Sequence, residues 1–210
     1  MKINKKVFDK QGYLLIKNII PSDTLATTRK LAINLKKDKI SEIGKPREWG
    51  TGTYWRGLEM ASKLEKRLLS SYLHPFMRKV VPTLFDTKQI YLFNDQVVVK
   101  MPDEELKFDE HYDNQYGPDP EGALNGDFQT INFMWALTSS TKESGALEMK
   151  NKETGNWDLV ETKAGDIIAL DGNTYHRSGY NKTDRIRAMY ACIYSSRLMP
   201  WEGFYREKFG

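Results

Sequence analysis

The chain has a single cysteine, Cys192, and only three histidines, His74, His111 and His176, among 210 residues. One cysteine excludes an intrachain disulfide and agrees with a reducing compartment. Because Cys192 sits in an apolar run, it reads as a core thiol. No apolar stretch approaches the roughly 18 residues of a membrane-spanning helix, and the opening Met1-Lys2-Ile3-Asn4-Lys5-Lys6 lacks the apolar segment of a signal peptide. A cytoplasmic protein with no membrane contact is the expectation. The net charge of +4 is modest, and lysine and arginine are spread without the basic block that marks a nucleic-acid surface. Hydrophobic residues at 40%, charged residues at 29% and five tryptophans describe one globular domain with a substantial core.

So few histidines narrow the search for chemistry. His111 lies in Lys107-Phe108-Asp109-Glu110-His111-Tyr112-Asp113-Asn114. On an extended strand, residues two apart share a face, so the His111 imidazole and the Asp113 carboxylate could reach one point. Such a pair is common on surfaces, and a third ligand is needed. His176 follows an apolar strand pattern, Asp166-Ile167-Ile168-Ala169-Leu170, and an Asp171-Gly172 turn. Two histidines and one carboxylate from separate segments make the facial triad of non-heme Fe(II) oxygenases, which leaves coordination positions open.

The residues after His176 read Arg177-Ser178-Gly179-Tyr180-Asn181, with Arg187 eleven positions beyond the histidine at the head of an apolar strand. Here the chain resembles the phytanoyl-CoA dioxygenase family of Fe(II)- and 2-oxoglutarate-dependent oxygenases, in which the distal histidine is followed by a Ser-Gly-x-Asn turn and then an arginine. The resemblance extends to Gln96–Pro102, to the tryptophan-bearing Asn132-Phe133-Met134-Trp135 and the Gly145-Ala146-Leu147 turn after it, and to the Gly12-Tyr13 opening. It implies His111, Asp113 and His176 as metal ligands and Fe(II), O2 and 2-oxoglutarate as cofactors. Arg187, Lys100 and Trp135 would line the cosubstrate pocket, and succinate and CO2 would be released. A guanidinium heading a core strand needs a carboxylate partner, and its planar fork suits one bidentately. For Arg187 that carboxylate is either the far end of 2-oxoglutarate or an internal Asp or Glu. Lys100 snorkels to solvent or meets an anion. Trp135 lines the pocket or fills the core. Related halogenases leave a vacancy where Asp113 would bind, so the aspartate points to hydroxylation.

Fold and layout follow from pattern. Residues 5–20 read as a short helix, an apolar strand and a turn. A helix from Ser22 or Asp23 follows, carrying Leu25, Leu31, Ala32 and Leu35 on one face. Residues 44–58 mix Gly, Pro, Trp and Arg as a lid loop in which Arg56 and Trp55 are candidate substrate contacts. A second helix pattern covers 59–82, with His74 a capping or packing residue beside Pro75. Strands are expected at 89–93, 96–101, 130–137, 146–150, 157–160, 166–170 and 187–194. If Arg187 points inward, so do Met189, Ala191 and Ile193, while Tyr190, Cys192 and Tyr194 face the helices. The expected fold is mainly β with packing helices, a double-stranded β-helix of the jelly-roll, cupin-like kind. It forms a single domain over 1–210: a mostly helical scaffold to 82, a jelly-roll core over 83–196 and a tail from 197. The Gly/Pro-rich stretch 114–128 departs from the family pattern. A small polar or carboxylated metabolite is the expected partner, with oligomeric state left open. The alternatives are a cupin-type metalloenzyme that does not use 2-oxoglutarate and a non-catalytic ligand-binding or sensor jelly-roll.

Overall fold

The computed structural model describes residues 3–38, 47–49, 53–55, 58–102, 104–115, 128–198 and 209, with backbone only at 47–49, 53–55, 58–59 and 115. Helix α1 (Lys5–Gln11) ends at Gly12, whose left-handed φ of 83° lets its N–H reach the Phe8 carbonyl. Strand β1 (Tyr13–Ile16) follows, then α2 (Ser22–Asp38), which buries Leu31, Ala32 and Leu35 as its periodicity predicts. The stretch expected as a lid loop carries regular structure. Strand β2 (Arg47–Trp49) pairs with β3 (Thr53–Trp55), and β4 (Leu58–Glu59) pairs with the strand at 91–100. The rest of that stretch, Arg56 included, lies outside the described residues.

The helix expected over 59–82 is broken into α3 (Ala61–Leu64), α4 (Leu68–Tyr72) and α5 (Pro75–Val80), then a 3-10 turn at Val81–Thr83. The last break has a plain cause. Pro75 offers no N–H and takes the first helical position, while His74 caps the new helix by accepting the Phe76 N–H at 3.3 Å. Strand β5 (Tyr91–Lys100) joins what the sequence pattern splits at Asn94-Asp95. Both residues stay in the ladder because each finds a buried partner. The Asn94 amide oxygen accepts the Met60 N–H, and the Asp95 carboxylate accepts the N–H and hydroxyl of Ser62 and the Tyr190 hydroxyl at 2.8, 2.9 and 2.7 Å.

Beyond it come β6 (Phe108–His111), a 3-10 turn (Asp113–Gln115), β7 (Thr130–Ala136), β8 (Leu147–Lys150), β9 (Trp157–Val160), β10 (Ile167–Asp171), β11 (His176–Ser178) and β12 (Arg187–Ser195). They form two antiparallel sheets, a larger one ordered β1-β10-β7-β12-β5-β4 and a smaller one ordered β6-β11-β8-β9. Two apolar layers bind the structure. Leu68, Tyr72 and Met77 of the helices meet Phe133, Trp135, Tyr190, Cys192 and Tyr194 on the outer face of the larger sheet. Met134, Ile168, Leu170 and Met189 of its inner face meet Leu147, Met149 and Val160 of the smaller sheet. The expected parity of β12 holds for Met189 and Ala191 against Tyr190, Cys192 and Tyr194. In the tail, the Phe209 ring packs 4.7 Å from Tyr194 and its N–H donates to the Ile90 carbonyl. Residues 116–127, 199–208 and 210 lie outside the described part. No helix among the described residues is long and apolar enough to cross a membrane.

Burial drives the Asp95 carboxyl above the ordinary carboxylate range, and its three donors oppose that shift. Tyr190→Phe removes one donor from a buried acid. It is expected to cost about 1–3 kcal/mol, read as a lower urea midpoint with an unchanged slope.

Candidate active site

Antiparallel pairing of β11 with β6 sets His176 directly opposite His111, with ring centroids 4.2 Å apart. Asp113 comes from the 3-10 turn that follows β6, not from the strand itself. The strand-parity argument for the pair therefore fails in detail, since it is the turn that swings the carboxylate back toward the imidazoles. Asp113 Oδ1 lies 3.6 Å from His176 Nε2, and one ligand atom from each of the three residues falls within 4.8 Å of the others.

The histidines are oriented by the backbone. Nδ1 of His111 lies 2.7 Å from the Asp109 carbonyl, and Nδ1 of His176 lies 3.0 Å from the Thr174 carbonyl. A carbonyl only accepts, so each Nδ1 carries the proton and each Nε2 is the ring nitrogen with a lone pair to offer a metal. Burial, then the neighbouring His111, holds the His176 imidazole down to about 4, so it is neutral and able to ligate. The free Asp113 oxygen, Oδ2, accepts the amide of Asn132 on β7 at 3.1 Å. Two loops are locked behind the ligands. The Asn114 N–H donates to the Gly172 carbonyl, and the Asn114 amide oxygen accepts the Thr130 hydroxyl. The Gly12 carbonyl receives both the Asp171 N–H and the Thr174 hydroxyl, each at 2.9 Å, which ties α1 to the segment before His176.

The second part of the site is cationic. Arg187 and Lys100 face each other across β12 and β5, 1% and 0% exposed. Lys100 donates to the Ser178 hydroxyl at 2.8 Å and to the Gly179 carbonyl, so the turn after His176 is clamped to the cation. Asn181 closes that turn by donating to the carbonyls of Lys100 and Arg185. Among the described residues, Arg187 has a 3.4 Å contact from Nε to the Ser140 hydroxyl, and its buried Nη2 has no partner. Among the described residues no carboxylate forms an ion pair with either cation. The internal Asp or Glu that the sequence left open for Arg187 is not among them. Burial lowers Arg187 to about 10, and burial, then the charge of Arg187, lowers Lys100 to about 6 against the opposing charge of Glu104.

Trp135 does not join them. Alternation on β7 turns its indole to the helix side, 5.0 Å from Phe76 and 5.9 Å from Tyr190, so its role in a cosubstrate pocket is corrected to that of a core aromatic. Trp55 is placed only by its backbone, on β3, which lies beside β6. The sequence reading missed Asn132 as a partner of Asp113. Its signal was a lone amide in an otherwise apolar strand.

Two histidines and one carboxylate on one side, with an uncompensated buried guanidinium on the other, define a mononuclear metal site that keeps open positions and receives a carboxylate-bearing cosubstrate. A model of the phytanoyl-CoA dioxygenase (PhyH) family matches residues 8–150, and the chain belongs to that family. Dioxygenase af480 of Aspergillus fumigatus is 38% identical over 88 residues, which is 35% of this chain and 28% of that protein's own length. The alpha-ketoglutarate-dependent carbocyclase SnoK from nogalamycin biosynthesis shares the fold with a TM-score of 0.75 at 18% identity, covering 91% of this chain and 82% of that one. EvdO2 from Micromonospora carbonacea var. aurantiaca, solved with 2-oxoglutarate, gives 0.71 at 15% identity, covering 94% and 92%.

Gly172 packs too tightly for any side chain. A Cβ there would stand 1.9 Å from the Thr130 hydroxyl and 2.7 Å from the Asn114 amide oxygen. Gly172→Ala must therefore shift the turn that carries Asp113. It is expected to weaken Co(II) binding by about tenfold or more, in line with disrupted support of a metal ligand, with far-UV circular dichroism unchanged.

Proposed function

We propose that the protein is an Fe(II)- and 2-oxoglutarate-dependent oxygenase that hydroxylates a small polar or carboxylated metabolite, its two sheets forming the halves of a double-stranded β-helix barrel. The observation that carries this reading is the buried Arg187–Lys100 pair, with which no carboxylate among the described residues forms an ion pair; Glu104, whose charge is felt at Lys100, is itself paired with Lys36. Burying a charge without a partner is costly, so the pair fits an anion that arrives with the cosubstrate. A metalloenzyme that made no use of a diacid would have no need of it.

His111, Asp113 and His176 would hold the iron, and Arg187 the distal carboxylate of 2-oxoglutarate. With iron and diacid bound, the site consumes dioxygen, releases succinate and CO2, and delivers one oxygen atom to the substrate. The protein's own part is positional. Asp109 and Thr174 aim the imidazoles, Asn132 keeps Asp113 turned toward them, and Lys100 ties the Ser178-Gly179 turn to the anion site. Arg56 and Trp55 are the proposed substrate contacts, a placement supported by β3 lying beside the metal-bearing strand β6.

Arg187→Ala is expected to raise the 2-oxoglutarate concentration needed for half-maximal succinate release by about 100-fold or more, with Co(II) affinity unchanged. An unaltered requirement would remove 2-oxoglutarate from the proposal. Lys100 supplies a pH signature. With its ammonium lowered to about 6, it is mostly neutral at pH 7.5, and an incoming carboxylate raises it again. Binding therefore takes up a proton. Affinity is fully present below about pH 6 and falls as pH rises, by up to about tenfold per unit. Calorimetry of 2-oxoglutarate binding in buffers of differing ionisation enthalpy should show that uptake in the parent protein and none in Lys100→Met.

A further inference from the structure

Asn132 carries an atom that the oxygenase reading leaves unexplained. Its amide N–H donates to Asp113 Oδ2, and because a carboxylate can only accept, the orientation of the amide is fixed. The other end, Oδ1, is then a carbonyl oxygen. It is buried, the residue being 3% exposed, and it has no hydrogen-bond partner. A buried acceptor left unpaired is strongly unfavourable, so the working protein supplies a donor.

The identity of that donor follows from position and chemistry. 2-Oxoglutarate at neutral pH is a dianion with acceptor oxygens and no N–H or O–H, so it cannot serve. It also sits elsewhere. Asn132 pairs across β7 and β12 with Ile193, six residues along the strand from Arg187, which is about 20 Å at the rise of an extended chain. A five-carbon diacid anchored at Arg187 approaches the metal from that end of the strand, whereas Asn132 reaches the Asp113 ligand from the other. Asn132 therefore stands on the side of the metal away from the cosubstrate, where a primary substrate enters. The same cross-strand row holds a second amide. Asn94 pairs with Ile193 from β5 and is also buried, with its own oxygen engaged by the Met60 N–H.

We propose that Asn132 is the specificity-determining residue of the substrate pocket: its carbonyl oxygen accepts a hydrogen bond from a hydroxyl or ammonium group of the primary substrate while its N–H holds Asp113. This rests on the oxygenase reading above and adds the class of group the substrate must present. An alcohol or an amine satisfies the buried acceptor, and a ketone, ester or ether of the same shape leaves it unpaired.

The test uses the full chain under anaerobic conditions, loaded with Fe(II) and 2-oxoglutarate, whose visible charge-transfer absorption shifts when a molecule enters beside the metal. Propan-2-ol, isopropylammonium and acetone are nearly the same shape and differ in donors. In the parent protein, propan-2-ol or isopropylammonium is expected to bind about tenfold tighter than acetone, the size of one well-made hydrogen bond. Whichever of the two is preferred shows whether the donor is a hydroxyl or an ammonium. In Asn132→Leu that preference is expected to fall within about twofold. A separate Co(II) titration of the same variant reads the hold on Asp113. The comparison of probes in the parent protein does not depend on any variant folding. Equal affinity for all three, no shift with any of them, or a preference that survives in Asn132→Leu would each overturn the proposal. Absence of the charge-transfer absorption before any probe is added would instead count against the oxygenase reading itself.

Discussion

The antiparallel register between β6 and β11 is the constraint on which the site depends. It sets His111 against His176 in one cross-strand pair, and a shift of one residue in either strand would turn an imidazole to the opposite face. The rest of the ligand geometry follows from it. The backbone carbonyls of Asp109 and Thr174 fix the tautomers, and the turn after β6 brings in Asp113. Much of the surrounding structure holds this register still. Met149 on β8 pairs with His176 from the other side, and Gly172 lets the β10–β11 turn sit against Asn114 and Thr130. The ligands are thus set by strand pairing and by the hydrogen bonds of the turns that flank them.

A second constraint is electrostatic. Burial beside the Arg187 guanidinium drives the opposing Lys100 ammonium toward its neutral form, so the structure holds one buried cation and a second group that regains its charge when an anion arrives. Stability alone does not account for this arrangement. Apolar residues fill the corresponding inner positions along β12 at Met189 and Ala191, so an apolar pair could have been accommodated there too. Local instability held in reserve at a binding site, and relieved by the ligand, is a physical description of affinity.

Much of the site was legible in the chain because histidine is scarce. With three imidazoles to choose from, and one engaged beside Pro75 as a cap, the ligand pair was nearly forced. Arg187 was legible from its place at the head of an apolar run, and its lack of an internal carboxylate partner was not, since pairing is a property of three-dimensional proximity. The face of Trp135 was misread for a related reason. Strand β7 is covered on both sides, every residue from Thr130 to Ala136 is buried, and the period-two signal that would show which way the indole points is erased. Asn94 and Asp95 looked like a break because polar residues usually end a strand, and here each has a private partner. The 59–82 helix failed where single positions overrule periodicity, at the left-handed Met60 and at Pro75.

The bond from Thr174 to the Gly12 carbonyl has a bearing on how the molecule matures. The segment that presents His176 is fastened to the Gly12 carbonyl at the end of α1, so the seating of the last ligand is coupled to the docking of α1 and β1 against β10. Contacts this far apart in sequence form late. Iron would then meet a finished cradle, and a nascent chain still lacking that closure would offer the ion two ligands and a loose strand.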